Sequence, residues 1–245
     1  MKNLISLSPR KEDRYEIKYR LQSSQKTKLQ SWIASNTILR KKYSARKVYS
    51  LYFDTNDYLS AYSNIIGLSE RWKVRLRFYS EINKTESYIL KDLLLNASSP
   101  FLIEIKRKKN DRSQKFSVQI NKKELLLSLE SRKEFIGFIN TFLHKNLDMH
   151  FPLEKLSPVS LVVYEREYFE DNFGLRLTID TNIRTAPYYP RFRLRPILND
   201  QCICELKFGE HLKSHASITI KDSFLTRTRS SKYIYSVSNT LTINY

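Results

Sequence analysis

The stretch Glu70-Arg71-Trp72-Lys73-Val74-Arg75-Leu76-Arg77-Phe78-Tyr79 decides how this chain is read. Successive side chains of a β-strand point to opposite faces, so Arg71, Lys73, Arg75 and Arg77 share one face while Trp72, Val74, Leu76 and Phe78 share the other. Same-face neighbours sit about 7 Å apart, so each adjacent pair of cations repels by ~0.6 kcal/mol in water and ~2.4 kcal/mol at an effective dielectric of 20. Such a row needs anions. Charge on every second residue recurs in Arg14-Tyr15-Glu16-Ile17-Lys18, Glu104-Ile105-Lys106-Arg107-Lys108, Tyr164-Glu165-Arg166, Arg176-Leu177-Thr178-Ile179-Asp180 and Glu205-Leu206-Lys207. One face of a whole sheet is therefore expected to be ionic.

The 245 residues suffice for one well-buried domain, taken here as 1–245. Lys and Arg number 43 against 25 Asp and Glu, a formal +18, and the excess lies within the strands and not in a terminal tail. A polyanionic partner is expected: nucleic acid, a membrane surface, or polyphosphate and nucleotide. The two cysteines, Cys202 and Cys204, share one strand face with no further ligands nearby, and read as small buried apolar residues in a reducing compartment. Residues 1–14 lack the apolar core of a secretion signal, and no later window has about 18 uncharged apolar residues. The expectation is a soluble, cytoplasmic protein with no membrane span in this chain, which leaves room for a membrane partner.

Strands are expected at 14–21, 47–54, 70–79, 101–109, 114–120, 159–169, 174–181 and 202–208. Leu29, Trp32 and Ile33 recur at helical spacing after Ser23-Ser24, and Leu125, Leu126, Leu129, Phe135, Phe138, Ile139 and Phe142 form a longer helical stripe. A short helix or turn is expected near 59–64. Tyr233, Val237 and Leu241 predict a closing helix. Residues 80–100 and 184–200 show no clear period. With only four glycines, a Gly-rich phosphate loop is not expected. The four histidines, His144, His150, His211 and His215, lie outside the strand blocks and read as surface residues.

For any one strand the polar face could simply be solvated. Over six strands that reading weakens, because the faces are mostly Arg and Lys. The fold expected is α+β: a closed antiparallel β-barrel with a charged interior and helices packed on its outside. Arg suits bidentate contact with phosphate, Lys supplies point charge, and a few carboxylates can hold Mg²⁺ or Mn²⁺. No nucleic-acid partner is expected, since Trp72, Phe78, Ile105 and Leu206 fall opposite the charges instead of alternating with them on one open face.

These blocks, with Ser50-Leu51-Tyr52-Phe53-Asp54-Thr55 and Ser231-Lys232-Tyr233, resemble the polyphosphate-polymerase domain of the vacuolar transporter chaperone (VTC) family, a branch of the triphosphate tunnel metalloenzymes. The resemblance implies a tunnel in which Lys18, Arg75, Arg77, Lys106, Arg166, Arg176, Lys207 and Lys232 contact nucleotide and polymer phosphates. Arg14, Arg71, Lys73, Lys108 and Lys115 would add phosphate-binding charge. Glu205 would ligate Mn²⁺ or Mg²⁺, with Glu16 and Glu104 in support. The implied partners are ATP and inorganic polyphosphate. Hydrolytic members of the wider superfamily open with two glutamates two residues apart and then a lysine. Here the first is Arg14, which favours a polymerase over a metal-dependent triphosphate hydrolase. A non-catalytic module that binds polyphosphate or nucleotide is the other alternative.

Overall fold

The computed structural model describes residues 10–83, 87, 89–110, 112–146, 155–188, 194–196 and 200–241, with backbone alone at 10–14, 195–196 and 240–241. Its strands are β1 (Arg10–Gln22), β2 (Arg40–Asp54), β3 (Glu70–Glu81), β4 (Phe101–Lys109), β5 (Arg112–Ile120), β6 (Ser157–Glu170), β7 (Arg176–Pro187), β8 (Arg195–Pro196) and β9 (Gln201–Gly209). The helices are α1 (Lys26–Asn36), α2 (Leu59–Ile65), α3 (Leu90–Leu95), α4 (Lys122–Leu127), α5 (Arg132–Asn146), α6 (Lys213–Ile220) and α7 (Lys232–Leu241). All strands join one antiparallel sheet, ordered β6-β2-β3-β4-β5-β1-β9-β7-β8.

Strand parity has the consequence expected of it. Tyr49, Leu51 and Phe53 of β2, Val74, Leu76 and Phe78 of β3, and Ile103 and Ile105 of β4 form one apolar face. Phe135, Ile139 and Leu143 of α5, spaced by single helical turns, cover it together with Leu125 of α4 and three leucines of α3. Each such fully buried side chain contributes ~1.5–3 kcal/mol. On the other half of the sheet, Leu29 and Ile33 of α1 pack against Leu177, Ile179, Leu206 and both cysteines. The cysteines are free and buried, and burial pushes the Cys202 thiol up to about 11.

The opposite face curls inward. Lys106 of β4 reaches Glu16 of β1 past the intervening β5, and Arg77 of β3 reaches Tyr164 of β6 past β2. β6 also pairs along its second edge with β7, from Ser160↔Pro187 to Glu170↔Arg176. The expected closed barrel is nonetheless met only in part. Between β1 and β5 only Arg10↔Lys115 and Arg14↔Ser113 are in register, with an irregularity between them. The strands are staggered: β5 begins at Arg112, so β1 runs on past its end toward Gln22. The freed edge of β1 is covered by the segment ahead of α7, where Thr228 N donates to Lys18 O and Tyr19 bridges Arg227. The wall is not laddered all the way round.

A second correction concerns the helices, which are not all outside. α7 lies against the inner face: Tyr233 stacks on Tyr52 at 4.7 Å, Ser236 bonds Ser160 at 2.7 Å, and Tyr233 and Val237 pack with Val48, Val162 and Ile183. The physical reason is that this end of the inner face is aromatic and aliphatic, so it needs an apolar cover that the ionic end does not. Asp54 ties the arrangement together. Its buried carboxylate accepts the Thr55 amide just past β2, the Ser60 and Ala61 amides in the first turn of α2, and the Tyr233 hydroxyl.

Candidate active site: the ionic inner face

Glu205, on β9, is ringed by four cations, one from its own strand and one each from β1, β6 and α7. Lys207 Nζ stands 2.8 Å away, Lys232 and Arg166 3.4 Å, and Lys18 3.5 Å. Asp180 of β7 anchors two of them: Arg166 donates Nε and Nη2 in a fork at 2.5 and 2.6 Å, and Lys232 Nζ lies at 2.6 Å. Asp180 is fully buried. Such a fork fixes a guanidinium plane as a single point charge cannot. Lys232 arrives from the first turn of α7, whose Ile234 amide donates to the Ser231 hydroxyl as a cap. The same hydroxyl accepts from Lys73 at 3.0 Å, so the helix start is pinned to β3.

A second cluster sits on β3, β4 and β5. Glu104, 1% exposed, takes Arg75 at 2.7 Å, Arg77 at 3.4 Å and Lys115 at 2.5 Å. Arg75 also donates to Tyr52 Oη at 3.2 Å, and Arg77 to Tyr164 Oη at 3.0 Å and to Ser50. Glu16 lies outside this cluster, between Lys106 at 2.7 Å and Lys18 at 3.1 Å.

Electrostatics follow from this packing. Burial alone would raise the carboxyls, but Lys207, Lys232, Lys18 and Arg166 outweigh it and hold Glu205 well below the usual range. Arg77, Arg75 and Lys115 do the same for Glu104. Lys73 goes the opposite way: burial, then Lys18 and Lys106 nearby, push its ammonium well below the ordinary lysine range. Burial likewise lowers Lys106, and brings Lys115 down to about 8. The inner face is thus short of negative charge.

Hard carboxylate oxygens suit Mg²⁺ or Mn²⁺, which are commonly held by one or two protein carboxylates plus substrate phosphates. Glu16 and Glu205 are the two such carboxylates that share one neighbour, the Lys18 ammonium. Glu104 is held in the same way as these two, since cations stand on both oxygens of all three carboxylates, and a metal ion at any of them would have to displace a lysine or arginine. No group of three or more His, Cys, Asp or Glu able to hold a metal ion occurs among the described residues. Further ligands would have to come from substrate or water.

The structure thus brings Lys18, Lys73, Lys106, Arg166, Lys207, Lys232, Glu16 and Glu205 into one neighbourhood, and Arg75, Arg77, Lys115 and Glu104 into another. Arg176 stands apart, half exposed and 3.5 Å from Glu170. Arg71 donates to Leu68 O at 2.5 Å. Lys108 lies on β4 opposite Arg71, partly buried. The Arg14 side chain and His150 lie outside the described residues. His144 and His211 are exposed, and His215 bonds Asp171 at 2.6 Å on the outer side. Asp180, Tyr52, Tyr164 and Thr178 belong to the site although sequence reasoning gave them no role. The signal for Asp180 and Thr178 was their parity with Arg176. The buried hydroxyls of Thr178 and Ser230 have no hydrogen-bond partner among the described residues.

This sheet, curled around an ionic face, is an architecture shared with solved structures of low sequence identity. A putative adenylate cyclase from Vibrio parahaemolyticus superposes with a TM-score of 0.54 at 13% identity, covering 92% of this chain and 98% of that one. A putative adenylyl cyclase from Hippeastrum, described as having a dominant triphosphatase activity, gives 0.52 at 14% identity, covering 92% and 96%. Comparison with curated proteins returns no match. The VTC domain family model matches residues 13–241, and the chain belongs to that family. No helix among the described residues is long and apolar enough to cross a membrane.

Proposed function

We propose that this chain is an ATP-polyphosphate phosphotransferase, a polyphosphate polymerase that moves the γ-phosphoryl group of ATP onto a growing chain held along the inner face. One observation carries the reading. Lys18, Lys73, Arg75, Arg77, Lys106, Lys115, Arg166, Lys207 and Lys232 converge on a face whose carboxylates are Glu16, Glu104, Asp180 and Glu205, a formal excess of five positive charges. Cations in excess on one face, most of them partly or wholly shielded from water, favour a polyanionic partner. Spread over several strands, they match a linear chain of phosphates better than a single one.

Phosphoryl transfer asks mainly for positioning and charge stabilisation. Arg75 and Arg77, oriented by Glu104 and two tyrosines, would hold phosphate oxygens in a fixed plane. Arg166, locked by Asp180, would do so from the facing wall. The acceptor is a terminal phosphate oxygen, already ionised, which needs no strong general base. Mn²⁺ or Mg²⁺ at Glu205, with Glu16 beside it, would supply charge neutralisation on the transferring phosphates.

Triphosphate hydrolysis on the same face is the second reading, favoured by the activity described for the Hippeastrum neighbour. Incubation with ATP and Mn²⁺ or Mg²⁺ separates the two. A ladder of acid-labile phosphate chains with ADP is expected. Orthophosphate without polymer would establish the hydrolase instead, and binding without either product would establish a binding module.

A further inference from the structure

Of the large apolar side chains that stay exposed, five fall within ten residues: Leu59, Tyr62, Ile65, Ile66 and Leu68, between 39% and 63% accessible. Tyr62, Ile65 and Ile66 are spaced i, i+3, i+4, so they share one face of α2 and its continuation. The opposite face is spent on the fold, with Ala61 and Ser63 buried and the amides of Ser60 and Ala61 held by Asp54. Gly67, at φ 75°, turns the chain so that Leu68 follows directly. Beside this stripe stands the β4–β5 hairpin tip, fastened by Asn110 N to Ser69 O at 2.8 Å. The tip carries Arg107, Lys108, Lys109 and Arg112 against Asp111 in sequence. Lys109 and Arg112 are exposed. Glu70 holds Arg107 at 2.7 Å, and Asp57 accepts from the Thr55 hydroxyl at 2.5 Å.

We infer that this end of the molecule, the end covered by α7, docks on an anionic lipid surface, with Tyr62, Ile65, Ile66 and Leu68 entering the headgroup boundary and Lys109 and Arg112 facing anionic headgroups. Charge complementarity selects that occupant, since an exposed apolar stripe with exposed cations beside it is the pattern of interfacial binding. Four protruding aliphatic and aromatic side chains add what a merely basic surface lacks, a component of binding that salt does not screen. The inference is independent of the reaction proposed for the inner face.

The test is sedimentation of the full chain with vesicles of phosphatidylcholine containing phosphatidylglycerol, at low and raised salt, with thermal unfolding as a check on folding. Ile65→Ser/Ile66→Ser should weaken binding by at least about tenfold at raised salt. Lys109→Glu/Arg112→Glu should weaken it at low salt, while Lys41→Glu/Lys42→Glu, the same charge change on exposed residues of β2, should leave most of it. Equal loss from both charge pairs would reduce the effect to net charge and overturn the inference. So would unchanged binding of the isoleucine variant, or an effect of that variant on self-association with none on vesicles.

Discussion

Replacing Arg75 and Arg77 together by alanine should remove tripolyphosphate binding and also destabilise the fold by about 3–5 kcal/mol, the usual consequence of leaving a buried charge without its partners. That charge is Glu104, whose remaining cation is Lys115 at 2.5 Å. Mutual repulsion between the two arginines is too small to reverse the sign, because each is separately paired to the carboxylate. Adding Glu104→Gln to the double variant should return most of the stability and none of the binding. Denaturant unfolding reads the first effect and calorimetric titration with tripolyphosphate the second. The acid limb gives an independent check. Glu104 is held below its unfolded value, so its contribution is present above about pH 4.3 and is lost as pH falls toward the lower folded value. The triple variant should lack that component. Stability unmoved by Arg75→Ala/Arg77→Ala, or full binding by the triple variant, would contradict the assignment.

The second large effect is that of Glu205→Gln, for which binding and turnover are expected to move in opposite directions. The glutamine keeps the shape but leaves Lys18, Lys207, Lys232 and Arg166 short of one negative charge. Metal-free tripolyphosphate should therefore bind more tightly, since its oxygens replace the charge removed. Turnover with Mn²⁺ or Mg²⁺ should fall by at least about two orders of magnitude, because a hard cation loses its protein carboxylate. Without ligand the variant should unfold more easily, and tripolyphosphate should restore it. A Glu205 that merely balanced nearby lysines would leave turnover at saturating Mn²⁺ unchanged.

The ionic face was legible because period-two alternation is a local property: once Trp72, Val74, Leu76 and Phe78 are buried together, Arg71, Lys73, Arg75 and Arg77 have only the other side. Glu16, Lys18, Glu205 and Lys207 follow by the same reasoning, and β1 and β9 do pair with Lys18 opposite Glu205. What alternation could not show is anything that depends on the third dimension. Ser231-Lys232-Tyr233 reads as a helix start, but nothing local says that the helix turns onto the inner face and carries Lys232 to Asp180. The fork from Arg166 to Asp180 depends on the β6–β7 register, including its irregularity between Val163 and Glu165. The stagger that leaves β1 only briefly laddered against β5 depends on where β5 begins, at Arg112, relative to a strand almost a hundred residues earlier. β2 also begins at Arg40, seven residues before its apolar alternation, because its exposed first half is held by pairing with β6 and by Arg46 lying over Tyr43 and Tyr168.

A crystal structure of the protein soaked or grown with tripolyphosphate measures most directly whether the inner face is a phosphate-chain site. Phosphate density should run between the two clusters, within hydrogen-bond distance of Arg75, Arg77, Arg166, Lys207 and Lys232. Tripolyphosphate found only on the exposed cations of the β4–β5 hairpin or the first half of β2, with the inner ion pairs unchanged, would contradict the account.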